Sequence, residues 1–178
     1  MTVNLFVGVD LLHIFLTGAP GCGKSTVIDK VLAGYSGRVG GFRTGFGPER
    51  ESVRRALYLW PAWDEPRYDE AHTVARFDED GPVTLPHRFS ALGFPTLSGV
   101  DADLIIMDEC GRLEEDALPF QSAILRALDG PVPVLGVVRQ GFPGWTKDIA
   151  AHPGVALITV TRENRDTLPE AILARLGL

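Results

Sequence analysis

Cysteine is scarce in this chain, which has only Cys22 and Cys110 among its 178 residues. Two thiols cannot build the disulfide framework that stabilises small secreted domains, so we expect reduced thiols and a cytoplasmic location. The four histidines are scattered without the spacing of a metal site: His13, His72, His87 and His152. Because His13 lies in an apolar run, we expect a hydrogen-bonded core residue there rather than a metal ligand.

Basic residues and long apolar runs are also lacking. The net charge is −6, with 17 Lys and Arg against 23 Asp and Glu, which argues against a nucleic-acid binder that works by counterion release. No apolar run approaches the roughly 20 residues that span a bilayer, so we expect no membrane segment. Residues 1–11 lack the basic start of a signal peptide and form either an extra strand or an N-terminal extension. The length suits one domain over residues 1–178.

Glycine, in contrast, is abundant, with 20 residues, and three of them belong to one motif. Residues 18–25 read Gly-Ala-Pro-Gly-Cys-Gly-Lys-Ser and match G-x-x-x-x-G-K-[ST] at every fixed position. In such a loop the backbone N–H groups surround phosphates, the lysine reaches the terminal phosphates, and the hydroxyl can ligate Mg²⁺. An apolar run precedes the motif and a helical pattern follows it, as the mechanism requires. The predicted nucleotide-binding residues here are Gly18, Ala19, Pro20, Gly21, Cys22, Gly23, Lys24, Ser25 and Thr26.

Two adjacent acids provide the second half of the predicted site. Asp108 and Glu109 end the apolar run 104–107. Phosphate-loop hydrolases place a carboxylate at the end of a neighbouring strand to hold Mg²⁺, so we assign the metal ligands to Ser25 and Asp108. Glu109 points in another direction and can accept a proton from an attacking water. The alternative is that the two acids only open a loop.

The rest of the chain alternates strand and helix patterns, which predicts a mostly parallel sheet with ligands at the carboxyl ends of its strands. Arg139 follows the strand Val134–Val138 and is either a γ-phosphate contact or a surface arginine. Asn164 and Arg165 follow the last strand and can contact the base. The alternative is that Asn164 or Asp166 caps a helix. Residues 45–100 are rich in turns and strand patterns and are predicted to form a β-rich insertion.

Four segments together resemble the family of small P-loop nucleoside-triphosphatases that includes the human cancer-related nucleoside-triphosphatase. The resemblance rests on Gly18 to Ser25, Gly41-Phe42-Arg43-Thr44, residues 106–114 (Ile-Met-Asp-Glu-Cys-Gly-Arg-Leu-Glu) and residues 160–166 (Val-Thr-Arg-Glu-Asn-Arg-Asp). It implies an α/β fold of the RecA type, a three-layer α/β/α sandwich in which Val134–Val138 separates the phosphate-loop strand from the Asp-Glu strand. Arg139 would then lie between Lys24 and Glu109. The chain departs from the family at residues 45–48, where an acidic residue often follows the Gly-Phe-x-Thr segment.

The resemblance also implies Mg²⁺-dependent hydrolysis of ATP, GTP and other nucleoside triphosphates to diphosphates, with Lys24, Glu109 and Arg139 as the catalytic residues. A small-molecule kinase is the alternative, with the β-rich insertion binding an acceptor. A third hypothesis is a nucleotide-gated module that binds a protein partner of unknown identity. A further hypothesis is that oxidation or alkylation of Cys22, inside the phosphate loop, blocks nucleotide binding. The alternative is that both cysteines are packed and inert.

Overall fold

The computed structural model describes residues 12–176, and the predicted N-terminal extension 1–11 lies outside them. The strands are β1 (His13–Thr17), β2 (Val39–Phe46), β3 (Arg55–Pro61), β4 (Thr73–Asp78), β5 (Gly81–Thr84), β6 (Leu104–Cys110), β7 (Val134–Val138) and β8 (Val155–Thr159). The α-helices are α1 (Lys24–Gly34), α2 (Pro86–Leu97), α3 (Leu118–Leu128), α4 (Thr146–Ala151) and α5 (Leu168–Arg175). Short 3₁₀ turns cover Glu70–His72 and Arg112–Glu114.

The described strands form one sheet in the order β5-β4-β3-β2-β6-β7-β1-β8. The neighbouring strands β2, β6, β7, β1 and β8 pair in parallel. Strands β3, β4 and β5 are added antiparallel at the β2 edge. Strand β7 separates β1, which leads into the phosphate loop, from β6, which carries the two acids. This order confirms the expected RecA-type arrangement.

Helices cover both faces of the sheet because the side chains of its central strands alternate between the faces. In β1, Ile14 and Leu16 join a buried cluster with Val27 and Ile28 of α1 and with Ile172 of α5. Phe15, between them in sequence, joins the opposite cluster, which includes Phe89 of α2 and Phe120 of α3. The result is the predicted three-layer sandwich, with the carboxyl ends of β1, β6, β7 and β8 free to form a site.

The segment 45–100 is only partly what the sequence indicated. Strands β3 and β4 agree with the predicted β-rich character and continue the main sheet, with β5 added beyond them. Residues 86–97, however, form helix α2, which packs against α3. Pro86 is one of the residues that indicated turns in this segment, but proline is well tolerated at the first position of a helix. Gly93 allows the close packing, since a Cβ there would lie 2.2 Å from the Phe120 ring.

His13 is the hydrogen-bonded core residue that the sequence predicted. Its ring lies between β1, α3 and β7, where the Val134 N–H donates to Nδ1 at 3.2 Å and Nε2 lies 2.9 Å from the Leu128 carbonyl. Burial lowers the pKa of this imidazole. Among residues 12–176, no helix is long and apolar enough to cross a membrane.

Candidate active site

The phosphate loop between β1 and α1 has the backbone geometry that its glycines permit. Gly18, Gly21 and Gly23 have φ values of 135°, 74° and 110°, which residues with a side chain rarely adopt. A side chain at Gly18 would also collide with the residue that follows β8, because its Cβ would lie 2.7 Å from the Val160 carbonyl oxygen. The loop can therefore bend tightly and leave its N–H groups available at the start of α1.

Lys24 and the hydroxyl residues after it begin helix α1. The Lys24 Nζ donates hydrogen bonds to the carbonyls of Gly18 at 2.8 Å and Ala19 at 3.0 Å, so the amine lies over the loop. Ser25 and Thr26 are exposed in the first turn of the helix. These residues face a cavity of about 530 Å³ lined by Gly18, Pro20, Gly21, Gly23, Lys24, Ser25, Thr26, Glu109, Arg139 and Gln140.

Asp108, at the end of β6, is almost fully buried, with 4% of its surface exposed. The Arg43 Nε donates a hydrogen bond to its Oδ2 at 3.1 Å, and the Thr44 hydroxyl donates to its main-chain carbonyl at 2.8 Å. Burial raises the pKa of Asp108 to about 6, although the positive charge of Arg43 opposes the shift. The carboxylate is therefore held in place by the neighbouring strand β2.

Glu109 has the unusual backbone conformation of the site. Its φ is +63°, and among the described residues it is the one non-glycine residue with a positive φ. The β6–β7 register shifts between Met107 and Cys110, so Glu109 lies on a bulge. A bulge turns a side chain out of the ladder, and strain of this kind costs about 1–3 kcal/mol and is concentrated at functional sites. Here it directs a half-exposed carboxylate into the cavity beside the phosphate loop.

Arg139 lies where the resemblance placed it, directly after β7. Its Nη1 is 3.7 Å from the Glu109 Oε1, and both side chains line the same cavity as Lys24. The side chain packs across Gly111, whose Cβ would lie 3.2 Å from the Cβ of Arg139. The structure thus brings Lys24, Glu109 and Arg139 together around one cavity.

The residues after β8 divide into two groups. The Asn164 amide is held by the loop itself: its Oδ1 accepts the Thr161 N–H at 2.8 Å and its Nδ2 donates to the Thr159 carbonyl at 2.9 Å. These bonds fix the loop after β8 and do not cap helix α5, whose N-cap position is Thr167. Contact of Asn164 with a base stays a prediction. Arg165 lies on the phosphate loop, with its Cδ 3.2 Å from the Cβ position of Gly23.

Sequence reasoning gave no role to Glu114, although the family-like segment 106–114 ends on it. This side chain is 4% exposed, and its Oε2 accepts the Gly111 N–H at 2.8 Å. Burial raises its pKa to about 7. The bond fixes the turn that follows Glu109. The sequence signal for Glu114 is its spacing of three residues from Gly111, which is the spacing of a capping box.

Metal binding at this site would depend on few protein groups. Residues 12–176 contain no group of three or more His, Cys, Asp and Glu side chains arranged to hold a metal ion. Mg²⁺ in nucleotide sites needs only one or two protein oxygens, because phosphates and water supply the others. An exposed Ser25 hydroxyl and an anchored Asp108 carboxyl are donors of the kind that this ion prefers.

Comparison with known proteins identifies the family. A family model described as NTPase matches residues 13–173. The chain belongs to this NTPase family. The match confirms the resemblance that the sequence motifs indicated, and it covers the sheet together with the phosphate loop and both acids.

Individual relatives agree with this assignment. The chain is 28% identical to the nucleoside-triphosphatase THEP1 of Thermotoga petrophila over 91% of each chain. It is 29% identical to the protein of the same name from Thermofilum pendens, covering 93% of this chain and 95% of the relative. Among solved structures, THEP1 from Aquifex aeolicus superposes with a TM-score of 0.76 at 25% identity, covering 93% of this chain and 99% of that one. A human cancer-related nucleoside triphosphatase superposes with a TM-score of 0.65 at 25% identity, covering 91% and 95%.

Proposed function

We propose that this chain is a cytoplasmic, Mg²⁺-dependent nucleoside-triphosphatase that converts ATP, GTP and other triphosphates to diphosphates and phosphate. Membership of the NTPase family supports hydrolysis, and the comparisons give no support to the kinase alternative. The observation that carries the residue assignment is the convergence of Lys24, Glu109 and Arg139 on one cavity beside the phosphate loop.

Phosphate binding is the role we assign to the loop and to Lys24. The positive-φ glycines let backbone N–H groups turn toward the β- and γ-phosphates at the N-terminus of α1. Lys24 now contacts the carbonyls of Gly18 and Ala19. Its flexible side chain has only to exchange these acceptors for phosphate oxygens.

Ser25 and Asp108 would hold Mg²⁺. When bound, the ion would neutralise charge on the β- and γ-phosphates. Burial and the contact with Arg43 limit the positions available to Asp108. Its pKa of about 6 leaves the carboxyl mostly ionised at pH 7, the form that binds a cation.

Glu109 is assigned as the base that orients and deprotonates the attacking water. The bulge at the end of β6 aims its half-exposed carboxylate into the cavity, within 3.7 Å of Arg139. Arg139 is assigned to the γ-phosphate, where a guanidinium offsets the charge that develops during transfer. The two side chains are close enough to neutralise each other in part.

The test is the substitution Glu109→Gln, with Glu115→Gln as a matched exposed control on the following turn. Glu109→Gln should bind nucleotide with unchanged affinity and lose at least about tenfold in turnover, the usual size of a general-base effect. Glu115→Gln should keep the parental rate. Unchanged turnover in Glu109→Gln would remove this residue from the mechanism. Measuring free phosphate from γ-labelled ATP, GTP, CTP and UTP would also define the substrate range.

A further inference from the structure

A second cavity adjoins the nucleotide cavity and has no part in the mechanism above. Its volume is about 740 Å³, within the range of pockets that enclose small organic ligands. The two cavities share three lining residues, Glu109, Arg139 and Gln140. The proposed catalytic pair therefore forms the wall between them.

One side of this second cavity is apolar and aromatic. Phe46 of β2 and Phe77 of β4 meet edge to face, with ring centroids 5.2 Å apart. Arg55 lies over both rings, at 5.2 Å from the centre of Phe46 and 4.9 Å from that of Phe77. Leu57 and Phe142 add further apolar surface to the lining of the cavity. Such a wall suits a flat ligand, which can contact both the rings and a guanidinium plane.

The charged groups of the cavity favour an anion. Arg55, Arg112 and Arg139 contribute three guanidinium groups, against the carboxyls of Glu109 and Glu114. Glu114 is buried and accepts the Gly111 N–H, and its raised pKa of about 7 leaves part of it neutral at physiological pH. Guanidinium groups bind carboxylate, sulfonate and phosphate oxygens through paired hydrogen bonds.

We propose that this second cavity binds a flat organic anion, with its ring system against Phe46 and Phe77 and its acidic group at the arginines. The occupant contacts Glu109 and Arg139 from the side opposite the nucleotide and so changes the rate of hydrolysis. Binding is independent of the proposed function, whereas the effect on rate rests on it. The proposed role of the ligand is that of an effector next to the nucleotide cavity.

The probe is anilinonaphthalene sulfonate, a flat anion that fluoresces when bound in apolar surroundings, titrated with a non-hydrolysable triphosphate saturating the phosphate loop. We expect one site per chain. Phenylnaphthylamine, which has the same rings without the sulfonate, should bind at least about fivefold more weakly because charge-assisted hydrogen bonds are lost. Binding that the triphosphate abolishes by simple competition, or that is equally tight for the neutral probe, would overturn the proposal.

Two variants locate the site. Arg55→Ala removes the guanidinium over the rings, and Pro82→Trp fills the cavity from an exposed position of β5. Each should weaken binding of the probe at least about fivefold. Arg126→Ala is the matched control, since Arg126 stacks on Phe94 outside this cavity. Unchanged binding in both test variants would place the probe elsewhere and refute the site.

The effect on hydrolysis is a separate measurement. Saturating probe should change the rate of phosphate release by the parental chain at least about twofold. The Pro82→Trp variant should hydrolyse at the parental rate without probe and should show no response to the probe. Site-dependent binding with no change in rate would refute the coupling. If the parental chain released no phosphate at all, the proposed function would fail, and the binding titration would still decide whether the site exists.

Discussion

The guanidinium of Arg43 joins the buried Asp108 to the phosphate-loop helix. Its Nε donates to the Asp108 Oδ2 at 3.1 Å, and its Nη1 lies 2.8 Å from the Oδ1 of Asp29 on α1. One cation thus contacts both the strand with the proposed metal ligand and the helix that begins at Lys24. Its charge limits the rise in the Asp108 pKa that burial causes.

Replacing Arg43 by glutamine should therefore shift the pH dependence of hydrolysis. Loss of the cation raises the pKa of Asp108 further above about 6, so a smaller fraction of the carboxyl is ionised at pH 7. We expect activity to fall about twofold at pH 7 and to recover almost fully toward pH 9, as a rise of about one pH unit in this pKa requires. The measurement is kcat against pH at several Mg²⁺ concentrations.

Arg38→Gln is the matched control for this experiment. Arg38 also bridges two acids, Asp101 and Asp103, but on the exposed surface away from the cavity. Its loss should leave the pH profile in place. A profile for Arg43→Gln that has the parental midpoint and only a lower maximum would show a structural role instead.

The backbone strain at Glu109 predicts a difference in stability between two variants that lack its carboxylate. Glu109→Ala and Glu109→Gly both remove the carboxylate, but only glycine adopts a φ of +63° without steric cost. We expect Glu109→Gly to be about 1 kcal/mol more stable than Glu109→Ala, because an L-residue in this conformation costs about 1–2 kcal/mol and unfolded-chain entropy offsets part of it. Urea unfolding measures both. Equal stabilities, or a more stable alanine variant, would mean that the bulge relaxes when the side chain is lost.

The sequence predicted the parts of this site that lie in contiguous motifs. The phosphate loop needs glycines at fixed spacing, and the acids follow an apolar run, so Lys24 and Asp108 could be assigned without a structure. Arg139 required the strand order, because its position depends on β7 lying between β1 and β6. That order came from the family resemblance and not from the local pattern.

The features that were missed depend on contacts distant in sequence. Arg43 and Asp108 are 65 positions apart, and only the pairing of β2 with β6 brings them together. The bulge at Glu109 arises from the register between β6 and β7, which no local pattern encodes. Helix α2 was missed because Pro86 indicated a turn, whereas it occupies the first turn of the helix.

Glu114 should make the stability of the protein depend on pH. Its pKa rises from 4.5 to about 7 on folding, so the folded chain binds the proton more tightly than the unfolded chain does. The stabilisation is present in full below pH 4.5 and is lost as the pH rises to about 7, a change of about 3 kcal/mol from the linkage relation. Asp108, with a pKa raised to about 6, acts in the same direction.

The variant Glu114→Gln separates the contributions of Glu114 and Asp108 to the pH dependence of stability. The amide oxygen can still accept the Gly111 N–H, while the titration is gone, so the remaining fall in unfolding free energy should end near pH 6. Urea unfolding from pH 4 to pH 8 without nucleotide gives both curves. A variant with the same pH dependence as the parent would rule out a titrating Glu114.

The last prediction concerns the two thiols, which differ in exposure. Cys110 is fully buried, and burial raises its pKa well above the usual value, so it should resist alkylation. Cys22 is partly exposed, and its Sγ lies 3.8 Å from the Lys24 Nζ and 3.0 Å from the Cβ position of Gly18. An adduct on Cys22 would therefore crowd the loop that binds phosphate. We expect N-ethylmaleimide to modify one thiol per chain and to abolish nucleotide binding.

Cys22→Ser provides the control for alkylation, since it keeps a small side chain and removes the reactive sulfur. This variant should bind nucleotide and remain active after the same treatment, and prior addition of triphosphate should protect the parental chain. Mass spectrometry locates the adduct and fluorescence titration measures nucleotide affinity. Full affinity in a chain completely modified at Cys22 would show that the loop accommodates the adduct, and modification of Cys110 instead would contradict the buried position of that thiol.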